Sequence, residues 1–185
     1  MNNVPQDFVR ALESIKSYSL PKFVHVQEVP LKPTVSPYCA GLTAHISSSE
    51  SMFADGKFIL LYDPQTQVGW DSTFRIIVMF SSILTQDLIE EHLIGQVAWS
   101  WLTESLDTYT NNYVNLNGTV TKHHTDSFGG LRLKDQQGKI EIRASWSPIF
   151  KSTEDINLSS HLHGFFNMLE TLSGRALSSP YLQAI

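Results

Sequence analysis

Apolar and polar positions alternate with a period of two through most of this chain and switch to helical spacing at its start, middle and end. Phe8, Leu12 and Ile15 recur at helical intervals behind Pro5, whose missing N–H suits a first turn, so residues 5–18 are expected to form a helix that Leu20-Pro21 stops. A short strand is expected over 23–29. Pro30, Pro33 and Pro37 then hold an extended connection that cannot enter a regular ladder.

Three strand-patterned runs follow. Over 38–48 the alternation sets Ala40, Leu42, Ala44 and Ile46 on one side. The run 53–62 becomes apolar on both sides near its end, in Phe58-Ile59-Leu60-Leu61-Tyr62. In 73–82 both faces are apolar, the pattern of a central strand covered on two sides. Thr85-Gln86-Asp87 offers an N-cap for a short helix reaching Leu93, and a longer helix is expected over 96–109, with Val97, Ala98, Trp101, Leu102 and Leu106 at core spacings.

Two more strands are expected at 118–124 and 139–146. In the second, Ile140, Ile142, Ala144 and Trp146 share a face opposite Glu141, Arg143 and Ser145. Leu158, Leu162, Phe165, Leu169 and Leu172 make one stripe of a final helix over 158–173, with Gly174 placed to end it. Trp146 is expected to be buried against that helix near Phe165 and Leu169. Strands grouped between helices give an α+β fold in a single domain over residues 1–185. Its mainly antiparallel sheet has five to six strands and carries three to four helices, in the order α-β-βββ-αα-ββ-α.

Composition narrows the function classes more than it identifies one. The 185 residues include 42% hydrophobic and 17% charged positions, which is globular rather than disordered. A net charge of −5 argues against direct nucleic-acid binding, because displacing counterions from phosphates requires a basic footprint. The single cysteine, Cys39, excludes an internal disulfide framework and fits a reducing cytoplasm. The first residues lack a signal-peptide pattern, no apolar run approaches the roughly 20 residues of a membrane span, and no membrane association is expected.

Chemistry-bearing motifs are sparse. His123 and His124 point to opposite faces of one strand, and His161 and His163 lie about 200° apart around a helix, so neither pair is set to chelate. There is no Gly-x-Ser-x-Gly elbow and no phosphate-cradling glycine loop, and Cys39 has no local activating base. No catalytic residue, metal or cofactor is therefore expected. The ligand-binding candidates are Arg75, Thr121, His123, Glu141 and Arg143, since arginine beside a carboxylate and a histidine can bind an anion or orient a substrate carboxylate. The bland alternative for them is a solvated sheet face, with Arg75 held by an ion pair to Glu104, Glu141 or a loop aspartate. Trp99 and Trp101 face nearly opposite directions on one helix and are the interface candidates.

Several strings occur together: Gly56-Lys57-Phe58-Ile59-Leu60-Leu61-Tyr62-Asp63-Pro64, Trp99-Ser100-Trp101-Leu102-Thr103-Glu104, Ser127-Phe128-Gly129-Gly130-Leu131 and Glu141-Ile142-Arg143-Ala144-Ser145-Trp146. In this combination, over roughly residues 5–180, the chain resembles the actinobacterial family known as domain of unknown function 3000. The resemblance implies an actinobacterial cytoplasmic protein and supplies no activity. Genes of that family often lie beside a ribonuclease D-like gene, which makes an accessory role in RNA processing one alternative. The leading expectation is a non-enzymatic binding or adaptor protein that meets a protein partner or self-associates as a dimer. The other alternative is a small-molecule binder or enzyme working on the polar sheet face.

Overall fold

The computed structural model describes residues 4–47, 53–125 and 137–174. Helix α1 (Gln6–Lys16) leads into strands β1 (His25–Glu28), β2 (Tyr38–Ser47), β3 (Phe53–Tyr62) and β4 (Phe74–Thr85). Helices α2 (Gln86–Glu90) and α3 (Ile94–Tyr109) follow. Then come β5 (Tyr113–His123), β6 (Gln137–Pro148), a short 3-10 turn (Thr153–Asp155) and α4 (Ser159–Leu172). The strands form one antiparallel sheet in the order β1-β2-β3-β4-β6-β5. This is the expected α+β class, with six strands and four α-helices.

The helices cover one face. There most even-numbered positions of β2, β3, β4 and β6 are buried, among them Ile46, Phe58, Leu60, Ile76, Val78, Ile142 and Trp146. The α4 helix lies close on β3 because residue 56 is glycine: a Cβ there would come within 2.7 Å of the Phe165 ring. Phe165 in turn packs its ring against Phe58 and Phe80, at centroid distances of 5.5 and 5.1 Å. At the other side of the sheet the Trp99 ring of α3 occupies the space above Gly118, where a side chain would also collide with the Arg143 carbonyl.

Buried polar groups fix how the helices seat. Ser82 Oγ donates to the Leu172 carbonyl at 2.9 Å, satisfying one of the free acceptors at the end of α4. Ser14 Oγ of α1 accepts the Leu158 N–H at 3.0 Å, where α4 begins. Between α3 and α4, Ser105 Oγ donates to Asn167 Oδ1 at 2.9 Å. Trp146 Nε1 donates to His161 Nδ1 at 3.2 Å. Trp146 is thus buried against α4 as expected, but its partner is His161 near the start of that helix. Phe165 is engaged further across the sheet, over Gly56.

Three expectations change. β4 is central, yet its second face is not covered along its length: Ile77, Met79, Ser81 and Ile83 stay half-exposed. Among the described residues no helix lies on that face. Among the described residues cover comes at one end, from the segment around 29–37, whose Leu31 lies against Gly41, and from the segment around 63–73 bonded to it. These are joined by Gln67 donating to the Val35 carbonyl and pinned by Ser36 donating to the Tyr62 carbonyl. The α3 helix begins two residues earlier than expected, and Val97, assigned to its core stripe, is 39% exposed; Ile94, Ala98, Leu102 and Leu106 carry the buried face. The strand before the last hairpin starts at Tyr113, with a bulge between Val114 and Asn117 where Asn115 takes a positive φ of 56°.

Two outcomes follow from the Trp146–His161 pair. Burial depresses the His161 pKa from 6.5 to about 4, so the folded protein holds it neutral while the unfolded chain protonates it near 6.5. The unfolded state therefore binds the extra proton between these values. His161 should contribute about 3 kcal/mol that is fully present above pH 6.5 and lost as the pH falls toward 4. Urea unfolding across that range should show a shallower pH dependence for His161→Gln than for the native protein, and parallel profiles would refute the assignment. Trp146→Ala should cost about 3–5 kcal/mol in the same measurement.

Candidate functional site

The open face of the sheet is best described by the rows that its register creates. In an antiparallel sheet, residues directly opposite on neighbouring strands place their side chains side by side on one face. One row crosses all six strands as His25, His45, Asp55, Ser81, Glu141 and Thr121. The next, two residues along each strand, is Gln27, Thr43, Lys57, Met79, Arg143 and Thr119. The third turns apolar in the middle with Ile59 and Ile77, and the fourth holds Cys39, Leu61 and Arg75 under the covering segments. A concavity of about 570 Å³ lies over the first two rows.

Glu141 organises one wall. Its Oε1 accepts from Lys139 Nζ at 2.6 Å, and its Oε2 lies 3.6 Å from His123 Nε2 and 3.7 Å from Arg143 Nη2. The Lys139 hydrogen bond holds the Glu141 carboxyl below its ordinary range. Partial desolvation opposes this, and the charges of Lys139 and His123 add to the lowering. Thr121 stands directly opposite Glu141 on β5. Four of the sequence candidates, Thr121, His123, Glu141 and Arg143, therefore come together.

Arg75 does not join them. It lies six residues along β4 from Ser81, the position paired with Glu141, and so about 20 Å away at the usual strand rise. It is buried at the covered end of the same face, where Nη1 donates to Ser147 Oγ at 3.1 Å and Nη2 to Ser145 Oγ at 2.7 Å. The ion pair expected for it is not formed: among the described residues no carboxylate reaches it, and Glu104 sits on α3, across the sheet. Burial alone lowers its pKa, although a guanidinium remains charged.

The opposite wall was not singled out in the sequence. His45 Nδ1 and Asp55 Oδ1 lie 2.6 Å apart, with His25 directly across from His45. Lys57 rises from the floor beside Met79. Their signal was present as the polar half of the alternation, Thr43 and His45 in one strand and Asp55 and Lys57 in the next. Only strand pairing makes them neighbours.

Asp55 is matched by His45 and Glu141 by Lys139. Among the described residues no hydroxyl or thiol is hydrogen-bonded to His45, and no group of three His, Cys, Asp or Glu side chains is placed to hold a metal ion. His161 and His163 have separate surroundings, the first buried against Trp146 and the second stacked on Tyr109 with ring centroids 4.0 Å apart. Trp99 and Trp101 both pack on the core and stay partly exposed. Asp126 and the Gly129-Gly130 pair lie outside the described residues. No helix among the described residues is long and apolar enough to cross a membrane.

No curated protein and no solved structure matches the chain. A family model described as protein of unknown function (DUF3000) matches residues 4–179, nearly the full length and every element of the sheet. The chain belongs to the DUF3000 family.

Proposed function

We propose that this is a cytoplasmic, non-enzymatic binding protein that holds a small molecule on the open face of its sheet. The observation that carries the reading is the concavity over the first two rows. Its volume of about 570 Å³ falls within the roughly 300–1,000 Å³ usual for small-molecule sites. Its floor mixes a half-buried apolar side chain, Met79, with polar groups from neighbouring strands, the combination that gives a ligand both contact area and orientation. The rigid hydrogen-bonded sheet beneath keeps these groups in place without a ligand, which reduces the ordering cost of binding.

A second reading is self-association, and a different observation favours it. Leu93 and Val97 are 55% and 39% exposed, and with the half-buried Trp101 they follow one another at four-residue intervals along the outer side of α3. Such a stripe suits a helix-to-helix contact between two copies. Light scattering on the eluting protein would test it: a dimer that becomes monomeric in Val97→Asp supports this reading, and a monomeric native protein removes it.

For the small-molecule reading the informative variant is Met79→Trp, which fills the concavity from its floor without entering the helix-covered core. A ligand present at about 100 times its Kd should add about 2.7 kcal/mol of stability, seen as a rise of several degrees in Tm. A metabolite library screened by thermal shift should give compounds that stabilise the native protein and not Met79→Trp. Compounds that stabilise both equally, or a library without effect, would count against the open face. Arg143, whose side chain is 63% exposed, should be replaceable by alanine with less than about 1 kcal/mol lost while ligand binding weakens.

A further inference from the structure

We propose that the ligand on this face is a small organic anion, with its acid group between Lys57 and Arg143 and its apolar part on Met79 and Ile77. The inference rests on the open face being a small-molecule site and names the class of molecule that the site takes.

Local charge on the open face points to an acidic ligand. The chain carries 18 acidic and 13 basic residues, yet two cations, Lys57 and Arg143, line the concavity with the two carboxylates Asp55 and Glu141, and a third cation, Lys139, stands beside Glu141. Both carboxylates are already engaged, Asp55 by His45 and Glu141 by Lys139, each at 2.6 Å. Lys57 and Arg143 are therefore the cations of the concavity that have no closely paired carboxylate among the described residues.

The surroundings of the two cations point the same way. Lys57 is half-buried on the central strand β3, between Thr43 and Met79, and no carboxylate pairs with it among the described residues. Partly desolvating an ammonium without a counter-charge costs stability, and an anion arriving over the floor would offset that cost. Arg143 approaches Glu141 Oε2 only to 3.7 Å, well beyond the roughly 2.7–2.9 Å of a charge-assisted hydrogen bond. It keeps donors free for a second acceptor.

Geometry brings the two cations to one place. Lys57 and Arg143 stand on either side of Met79 in the same row, so their Cα atoms are about 10 Å apart across two strand spacings. Both side chains are long enough to converge above the Met79 thioether. Next to Met79 on β4 lie Ser81 toward the polar row and Ile77 toward the apolar one. A ligand seated by its acid group thus finds apolar contact on one side and a hydroxyl on the other.

The test uses full-length protein labelled with 13C at the methionine methyl groups. Met79 reports the site, and Met168, buried in the core, reports the fold. Four probes of similar size separate charge from shape: phenyl phosphate, phenylacetate, benzyl alcohol and benzylamine. The two anions should shift the Met79 methyl saturably and leave Met168 unmoved, with benzyl alcohol about tenfold weaker and benzylamine without effect. Lys57→Met and Arg143→Met should each weaken phenyl phosphate about tenfold. Lys57→Gln serves if the methionine variant alters the Met168 signal. Neutral or cationic probes that saturate Met79 as readily as the anions, or variants that keep full affinity for phenyl phosphate, would overturn the anion assignment while leaving the small-molecule site standing. Should none of the four probes move Met79, the anion assignment falls, and the metabolite-library screen decides the broader reading on its own.

Discussion

Strand side chains alternate with a period of two, and everything distinctive about this protein follows from that constraint acting on four long strands in unbroken antiparallel register. β2, β3, β4 and β6 pair over nearly their whole lengths without a bulge, so even-numbered and odd-numbered residues stay on opposite faces from one strand to the next. A slip of one residue anywhere would exchange Phe58, Val78 and Ile142 for Lys57, Met79 and Arg143. The buried face holds that register in place. Phe165 over Gly56, Trp146 against His161 and Ser82 at the end of α4 each require the present pairing.

Helices on one face only leave the other to be dealt with by its own side chains. At one end the proline-rich segment and the loop before β4 do this, and there Leu61 and Arg75 are buried. A cation covered in that way is held by two serine hydroxyls, with no carboxylate paired to it among the described residues. Towards the other end the face stays open, and its rows become a concavity with matched carboxylates on both walls and positive charge between them. Covered and open ends thus divide the face into a structural part and the part proposed to bind a ligand.

The fold was largely legible in the sequence because its signals are local. Alternation in Ala40, Leu42, Ala44 and Ile46, the stripe from Leu158 to Leu172, and Pro5 before the first helix each sit within a few residues of one another. The site was only half legible. Glu141 and Arg143 share one strand, and His123 and Thr121 lie on the strand expected beside it, so their meeting could be anticipated. His45, Asp55 and Lys57 belong to strands whose place beside β4 depends on the whole sheet order, and no local pattern joins them to Glu141. Arg75 shows the reverse error. It shares a face with Glu141, but sharing a face says nothing about distance along a strand, and the two are three rows apart. The apolar second face of β4 suggests cover on both sides for a related reason, since half-buried Met79 lines the floor of a concavity, with half-buried Ile77 next to it, instead of an inner core layer.

Two rows of one open sheet face are proposed to act together as a binding site. Equilibrium dialysis of the protein against the small-molecule fraction of a cell extract, followed by mass spectrometry of what is retained, tests this joint role most directly. An acidic compound of metabolite size should be enriched by the native protein and not by Met79→Trp. Enrichment of nothing, or of the same compounds by both proteins, would contradict it.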